Sequence, residues 1–98
     1  MIIKIHSAYR NVVAVCDSEL LGKIIEDSKR RLDLSGPFFQ GDEKSEEEAK
    51  EILEDMKKED ATFNIVGKES CRIAKEIGLI GDEGIILIDN IPFALVLI

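Results

Sequence analysis

One histidine and two cysteines are the side chains best suited to covalent chemistry in this sequence, and His6 activating Cys16 would be the nucleophile pair to look for. Hairpin geometry argues against that pair. With an even number of residues between the strands, His6 falls opposite Val13, and His6 and Cys16 point to opposite faces of the sheet. With three residues, His6 falls opposite Val12 and Cys16 lies four positions along, on the order of 13 Å away at about 3.3 Å per residue. Cys71 is available only from elsewhere in the chain. No pair of Cys or His has metal-ligand spacing, and the acids gather on one solvated helix, so neither a catalytic set nor a metal site is expected.

The strand-turn-helix Asn64-Ile65-Val66-Gly67-Lys68-Glu69-Ser70 is the most suggestive local unit. Gly67 lets the backbone approach closely, and the amides opening the next helix could hold an anion near Lys68. A tight strand-to-helix connection explains the same residues. One glycine also falls short of a dinucleotide or phosphate-loop fingerprint, so no cofactor is implied. Asn64, in or beside a buried strand, more often bonds neighbouring backbone than a ligand. The one cluster of bases is Lys29-Arg30-Arg31 with Lys23 nearby. It lacks the interleaved aromatics that stack nucleobases, which leaves RNA binding without support.

These residues must be positioned by short elements. Residues 2–7 and 11–17 read as a hairpin from their rough alternation of apolar and polar side chains. A turn of helix follows, capped by Asp17 or Ser18 and stopped by Gly22. Residues 23–26 and 30–34 read as two short strands, and residues 35–41 as a loop carrying the adjacent aromatics Phe38 and Phe39 and ending at Gly41. Ser45-Glu46-Glu47-Glu48 is a capping box, and Ala49, Ile52, Leu53 and Met56 give the helix it opens one apolar face. A strand at residues 61–66, a helix at 68–77 closed by Gly78, and a hairpin of residues 85–88 and 93–98 complete the pattern. Strands adjacent in sequence with interspersed helices predict a single α+β domain over residues 1–98, its sheet mostly antiparallel or mixed. The last run is apolar on both faces, which suits a central strand better than an edge joined to another molecule; an oligomer through this strand is the alternative.

A chain of 98 residues can bury about 60–65% of its unfolded surface, enough for a core without disulfides or metal staples. Its 45% hydrophobic and 34% charged residues fit a globular chain. No apolar run approaches the roughly 20 residues that span a bilayer. The N-terminus lacks the features of a secretory signal, and the two isolated cysteines fit a reducing cytoplasm as small buried hydrophobes. The net charge of −7 is local: residues 42–60 hold ten acids and four bases, a balance of −6 that leaves −1 for everything else. Such a run is more often a solvated face than a docking surface.

Cys16-Asp17-Ser18-Glu19-Leu20-Leu21-Gly22-Lys23, Phe38-Phe39-Gln40-Gly41, Asn64-Ile65-Val66-Gly67 and Ile91-Pro92-Phe93-Ala94 together resemble the archaeal family called domain of unknown function 424, in order and spacing over nearly the whole chain. That resemblance implies a cytosolic archaeal protein with no established activity. A histidine often follows the C-terminal proline in that family, where this chain carries Phe93, so no role resting on that histidine is expected here. The functional expectation is a binding or adaptor protein without catalytic activity. The alternatives are an RNA- or ribosome-associated factor using Lys23, Lys29, Arg30 and Arg31, and an enzyme or binder of a small anionic metabolite. Candidate contact residues are Asp17, Lys23, Phe38, Phe39, Gly41, Asn64, Gly67 and Lys68.

Overall fold

Runs of β-branched residues build the centre of the molecule. The computed structural model describes residues 1–97. These form the strands β1 (Ile2–His6), β2 (Val12–Cys16), β3 (Ile24–Glu26), β4 (Arg31–Asp33), β5 (Asp42–Glu43), β6 (Thr62–Val66), β7 (Ile86–Ile88) and β8 (Ile91–Val96), with helices α1 (Glu46–Lys58) and α2 (Lys68–Glu76). The expected helical turn is a 3-10 turn at Ser18–Leu20, and two more occur at Pro37–Phe39 and Asp82–Gly84, within stretches read as loop. Six strands make one mixed sheet in the order β5-β1-β2-β6-β8-β7, while β3 and β4 form a separate hairpin. β2 and β6 pair in parallel, and each of the other neighbouring pairs is antiparallel. The α+β class with a mixed sheet is as expected.

The period-two alternation of the strands divides the core between two faces. Ile3, Val13, Val15, Phe63 and Ile65 pack beneath Ala49 and Leu53 of α1 and Cys71, Ile73 and Ala74 of α2. On the opposite face Ile2, Cys16, Val66 and Ile88 are covered by Leu20, Ile25, Leu34 and Phe39 from the irregular segment between β2 and β5. The result is three layers: helices, sheet, and a cover of turns and the β3-β4 hairpin.

Local signals account for the element boundaries. The Ser45 hydroxyl accepts from the Glu48 amide at 3.2 Å while the Glu48 carboxylate accepts from the Ser45 amide at 3.0 Å, the reciprocal bonds of a capping box. Asp89 and Asn90 both take positive φ, 49° and 64°, which turns β7 into β8 with the twist that two-residue hairpins prefer. Pro92 sits inside β8, one residue before the expected start of that strand at position 93. It is tolerated because its carbonyl accepts from Gly67, just past the end of β6, so the missing N–H interrupts no rung. β8 is an inner strand of the sheet, hydrogen-bonded to β6 along residues 93–96 and to β7 along residues 91–93, which among the described residues leaves 94–96 without a strand on the β7 side. Residue 98 lies outside the described residues.

The acidic segment is partly spent within the molecule. Arg72 of α2 forms ion pairs with Glu69 at 2.9 Å, with Glu76 at 2.7 Å and with Glu46 of α1, and Lys50 reaches Glu76 at 2.9 Å. The carboxylates of Glu69 and then Glu46 hold the Arg72 guanidinium even further above its ordinary range. α1 and α2 are thereby tied together across their exposed sides.

Candidate functional site

Because β2 and β6 run parallel, they end at the same rim, and the residues that follow them, Asp17 and Gly67, meet there. The Asp17 amide extends the pairing by donating to the Val66 carbonyl at 3.1 Å. Its carboxylate, 5% exposed, turns onto the start of α2. One oxygen accepts from the Ser70 amide at 2.8 Å and the Ser70 hydroxyl at 2.7 Å, the other from the Glu69 amide at 3.1 Å. Gly67 lies against this carboxylate with φ +112°, and a Cβ there would fall 2.3 Å from the Asp17 carboxyl carbon.

The anion held by the opening amides of α2 is therefore the chain's own carboxylate, placed where the helix dipole favours negative charge. This corrects two expectations. Asp17 gives no side-chain cap to the 3-10 turn that follows it, and the Gly67 turn offers a free anion no unspent Glu69 or Ser70 amide. Lys68 is exposed and makes none of these contacts. Two open clefts flank the junction. One, of about 190 Å³, is lined by Ser18, Glu19, Lys44 and Glu46; the other, of about 360 Å³, by Glu19, Leu20, Lys68 and Ile91. Their carboxylates oppose a small anion. Beside them Ser18 donates to the Glu43 carboxylate at 2.7 Å, and the Met1 amine donates to Ser18 at 2.7 Å and to Glu43. Those bonds, the amine's first, hold the Glu43 carboxyl below its usual range.

Thiol chemistry has no support in the geometry. His6 pairs with Val12 and Cys16 with Ile2, the register that keeps His6 four positions from Cys16. Both cysteines are free and buried on opposite sides of the sheet. Burial first, and the Asp17 charge second, push each thiol up to about 11 from an ordinary 9.0. The folded chain should therefore carry about a hundredfold fewer thiolates than the unfolded one near neutral pH, and a thiol reagent should label it only through opening. Folding favours the protonated thiols, so this stabilisation is complete below pH 9 and fades as pH rises toward 11. Urea titrations at pH 8 and pH 10.5 check the sign; equal midpoints would refute it. Among the described residues, no group of three or more His, Cys, Asp or Glu side chains is placed to share a metal ion.

The remaining candidates are dispersed. Lys23 is exposed at the base of the β3-β4 hairpin, where its carbonyl accepts from the Leu34 amide. Phe39 is core. Gly41 is required by close approach: a Cβ there would lie 2.0 Å from the Ile3 carbonyl oxygen. Its tight passage fixes the preceding turn, where Phe38 stacks on His6 at 4.7 Å between ring centres while the Phe38 carbonyl lies 2.8 Å from His6 Nε2.

Asn64 leads to a different surface. The pairings align Ile2, Cys16, Val66, Phe93 and Ile86 in one cross-strand row, Lys4, Ala14, Asn64 and Leu95 in the next, and His6, Val12 and Thr62 in a third, all on the face away from the helices. The cover buries Cys16 and Val66 of the first row, but only Ala14 of the other two. Leu95 is 49% and Leu97 73% exposed, with Phe38 at 39% beside His6. In the middle lies the half-buried Asn64 amide, for which no hydrogen-bond partner exists among the described residues. The expected bond to neighbouring backbone is not made. Leu95 and Leu97 were absent from the sequence candidates, although a run apolar on both faces, residues 93–98, was the available signal.

The family profile described as Protein of unknown function (DUF424) matches residues 5–98. The chain belongs to this family. The DUF424 chain is similar to a solved structure described as that of an uncharacterized conserved protein from Methanopyrus kandleri, with a TM-score of 0.80 and 26% identity over 96% of this chain and 87% of that one. That neighbour shares the α+β fold and supports an archaeal origin. No curated protein matches the sequence. No activity accompanies the DUF424 description, and the chain's function is unknown at the level of family and neighbour alike.

Proposed function

We propose that the DUF424 chain is a non-catalytic binding module that docks a protein partner on the uncovered rows of its sheet. The observation that carries this reading is the Asn64 amide, half-buried and unpartnered amid Val12, Leu95 and Leu97. A polar group inside an apolar patch loses hydration on association unless the partner supplies a bond, so it confers register as well as affinity. Exposed apolar patches of this kind mark contact surfaces more often than ornament. The spent anion site and the buried thiols weigh against an enzyme. Among the described residues no helix is long and apolar enough to cross a membrane, and two buried free thiols fit a cytoplasmic setting.

An apolar contact should persist in salt, whereas docking on the acidic helix should not. Pull-down from the native host is therefore run at low and high salt with the wild-type chain and Leu95→Lys. A partner held at both salts by the wild type and weakened at least tenfold by Leu95→Lys is the expected result. A clean negative at both salts, or capture indifferent to Leu95→Lys, sinks the reading. Loss of capture on charge reversal of Lys23, Lys29, Arg30 and Arg31 would point to RNA instead.

A further inference from the structure

The two edges of the sheet are protected very differently. At one end β5 is two residues long and both are acidic, Asp42 and Glu43, a short charged edge that discourages pairing. At the other end β7 is Ile86-Leu87-Ile88, preceded by Ile85, with no charge and no proline. Leu87 is 57% exposed.

The register fixes which backbone groups this edge presents. Ile88 pairs with Ile91 across the two-residue turn, and Ile86 with Phe93. Leu87 faces Pro92, which has no N–H and whose carbonyl is committed to Gly67 on the far side. Antiparallel rungs alternate, so Ile86 and Ile88 bond toward β8 and the N–H and C=O of Leu87 point outward. Among the described residues no strand other than β8 pairs with β7.

We propose that two copies of this chain associate through β7 in an antiparallel, two-fold contact centred on Leu87. In that arrangement Leu87 exchanges both backbone hydrogen bonds with Leu87 of the second copy, and each Ile86 lies beside the other copy's Ile88. Position numbers across the dyad sum to 174, so Asp89 falls opposite Ile85 and Glu83 opposite Ile91: no acid meets an acid. A dyad at β5 would instead set Asp42 against Glu43. The contact is self-complementary, as a closed two-fold requires. Its small size places it among weak associations, and the −7 of each copy makes it tighter as salt screens the repulsion.

Sedimentation of the full chain from about 10 µM to about 1 mM, in about 50 mM and about 500 mM salt, tests this. The expected mass climbs from 10.9 kDa toward twice that value, further at the higher salt. Leu87→Lys and Leu87→Pro stay monomeric throughout; the proline removes an N–H that β8 does not use, so the fold survives it. Leu95→Lys leaves the dimer intact, which separates this contact from the docking surface proposed above. Protection of the Leu87 amide from hydrogen exchange, present at high and absent at low concentration, reads the same contact without a variant. A wild type that stays monomeric at every concentration and salt, or a dimer that survives both Leu87 variants, overturns the proposal.

Discussion

Gly67→Ala lowers the unfolding midpoint by roughly 20 °C, the loss of about 4 kcal/mol expected of a domain this size. Two costs combine. A backbone at φ 112° and ψ 159° belongs to a region that side chains other than glycine scarcely populate, worth about 1–3 kcal/mol on its own. The new methyl also meets the Asp17 carboxyl carbon at 2.3 Å and both its oxygens at 2.5 Å, so the carboxylate must leave the bonds it makes. Thermal unfolding followed by circular dichroism reads the shift. A midpoint within a few degrees of wild type would mean that the Asp17 contact is not as tight as described.

Asp17→Ala comes next, at about 3 kcal/mol. It strands the Ser70 amide and hydroxyl, in a residue with no exposed surface, and uncaps the Glu69 amide at the positive end of α2. Asp17→Asn should cost about half as much, because its oxygen can still serve Ser70 while its amino group confronts the Glu69 donor. The two substitutions are coupled. Once Asp17 is alanine the methyl of Gly67→Ala has room, and only backbone strain remains, so the double variant should be more stable than the sum of the singles by about 1–2 kcal/mol. Additivity within error would show that Gly67 is glycine for its backbone alone.

The contrast between these residues and Ser45 explains what the amino-acid sequence made legible. Ser45 and Glu48 are three positions apart, and their capping box could be named from spacing alone. Asp17 and Ser70 are 53 positions apart; they meet only because β2 and β6 end side by side, and nothing local distinguishes parallel from antiparallel pairing of such strands. Gly67 reads as a close-approach glycine, but what approaches it, Asp17, follows a strand 50 residues away in sequence. Asn64 was assigned to a strand correctly, yet whether its amide finds a partner depends on how far the cover of residues 18–41 extends over the sheet. Burial of Phe39 but not Phe38 turns on the same cover. The expected strand begins at residue 93, whereas β8 includes Pro92; a proline in an inner strand normally removes a rung, and only the end of β6 at Val66 frees it.

The parallel seam also bears on how the chain reaches this state. Every rung between β2 and β6 joins residues 50 positions apart, from Val12 with Thr62 to Cys16 with Val66, and closing a loop of that length costs entropy before any contact repays it. The three hairpins, β1-β2, β3-β4 and β7-β8, and the capped α1 can form early from neighbouring residues. The sheet itself remains in two halves, β5-β1-β2 and β6-β8-β7, until that seam closes. Docking of the halves, completed when Asp17 caps α2, is then the slow step of folding, and the unclosed edges of β2 and β6 are the surfaces through which the chain would aggregate if it stalled.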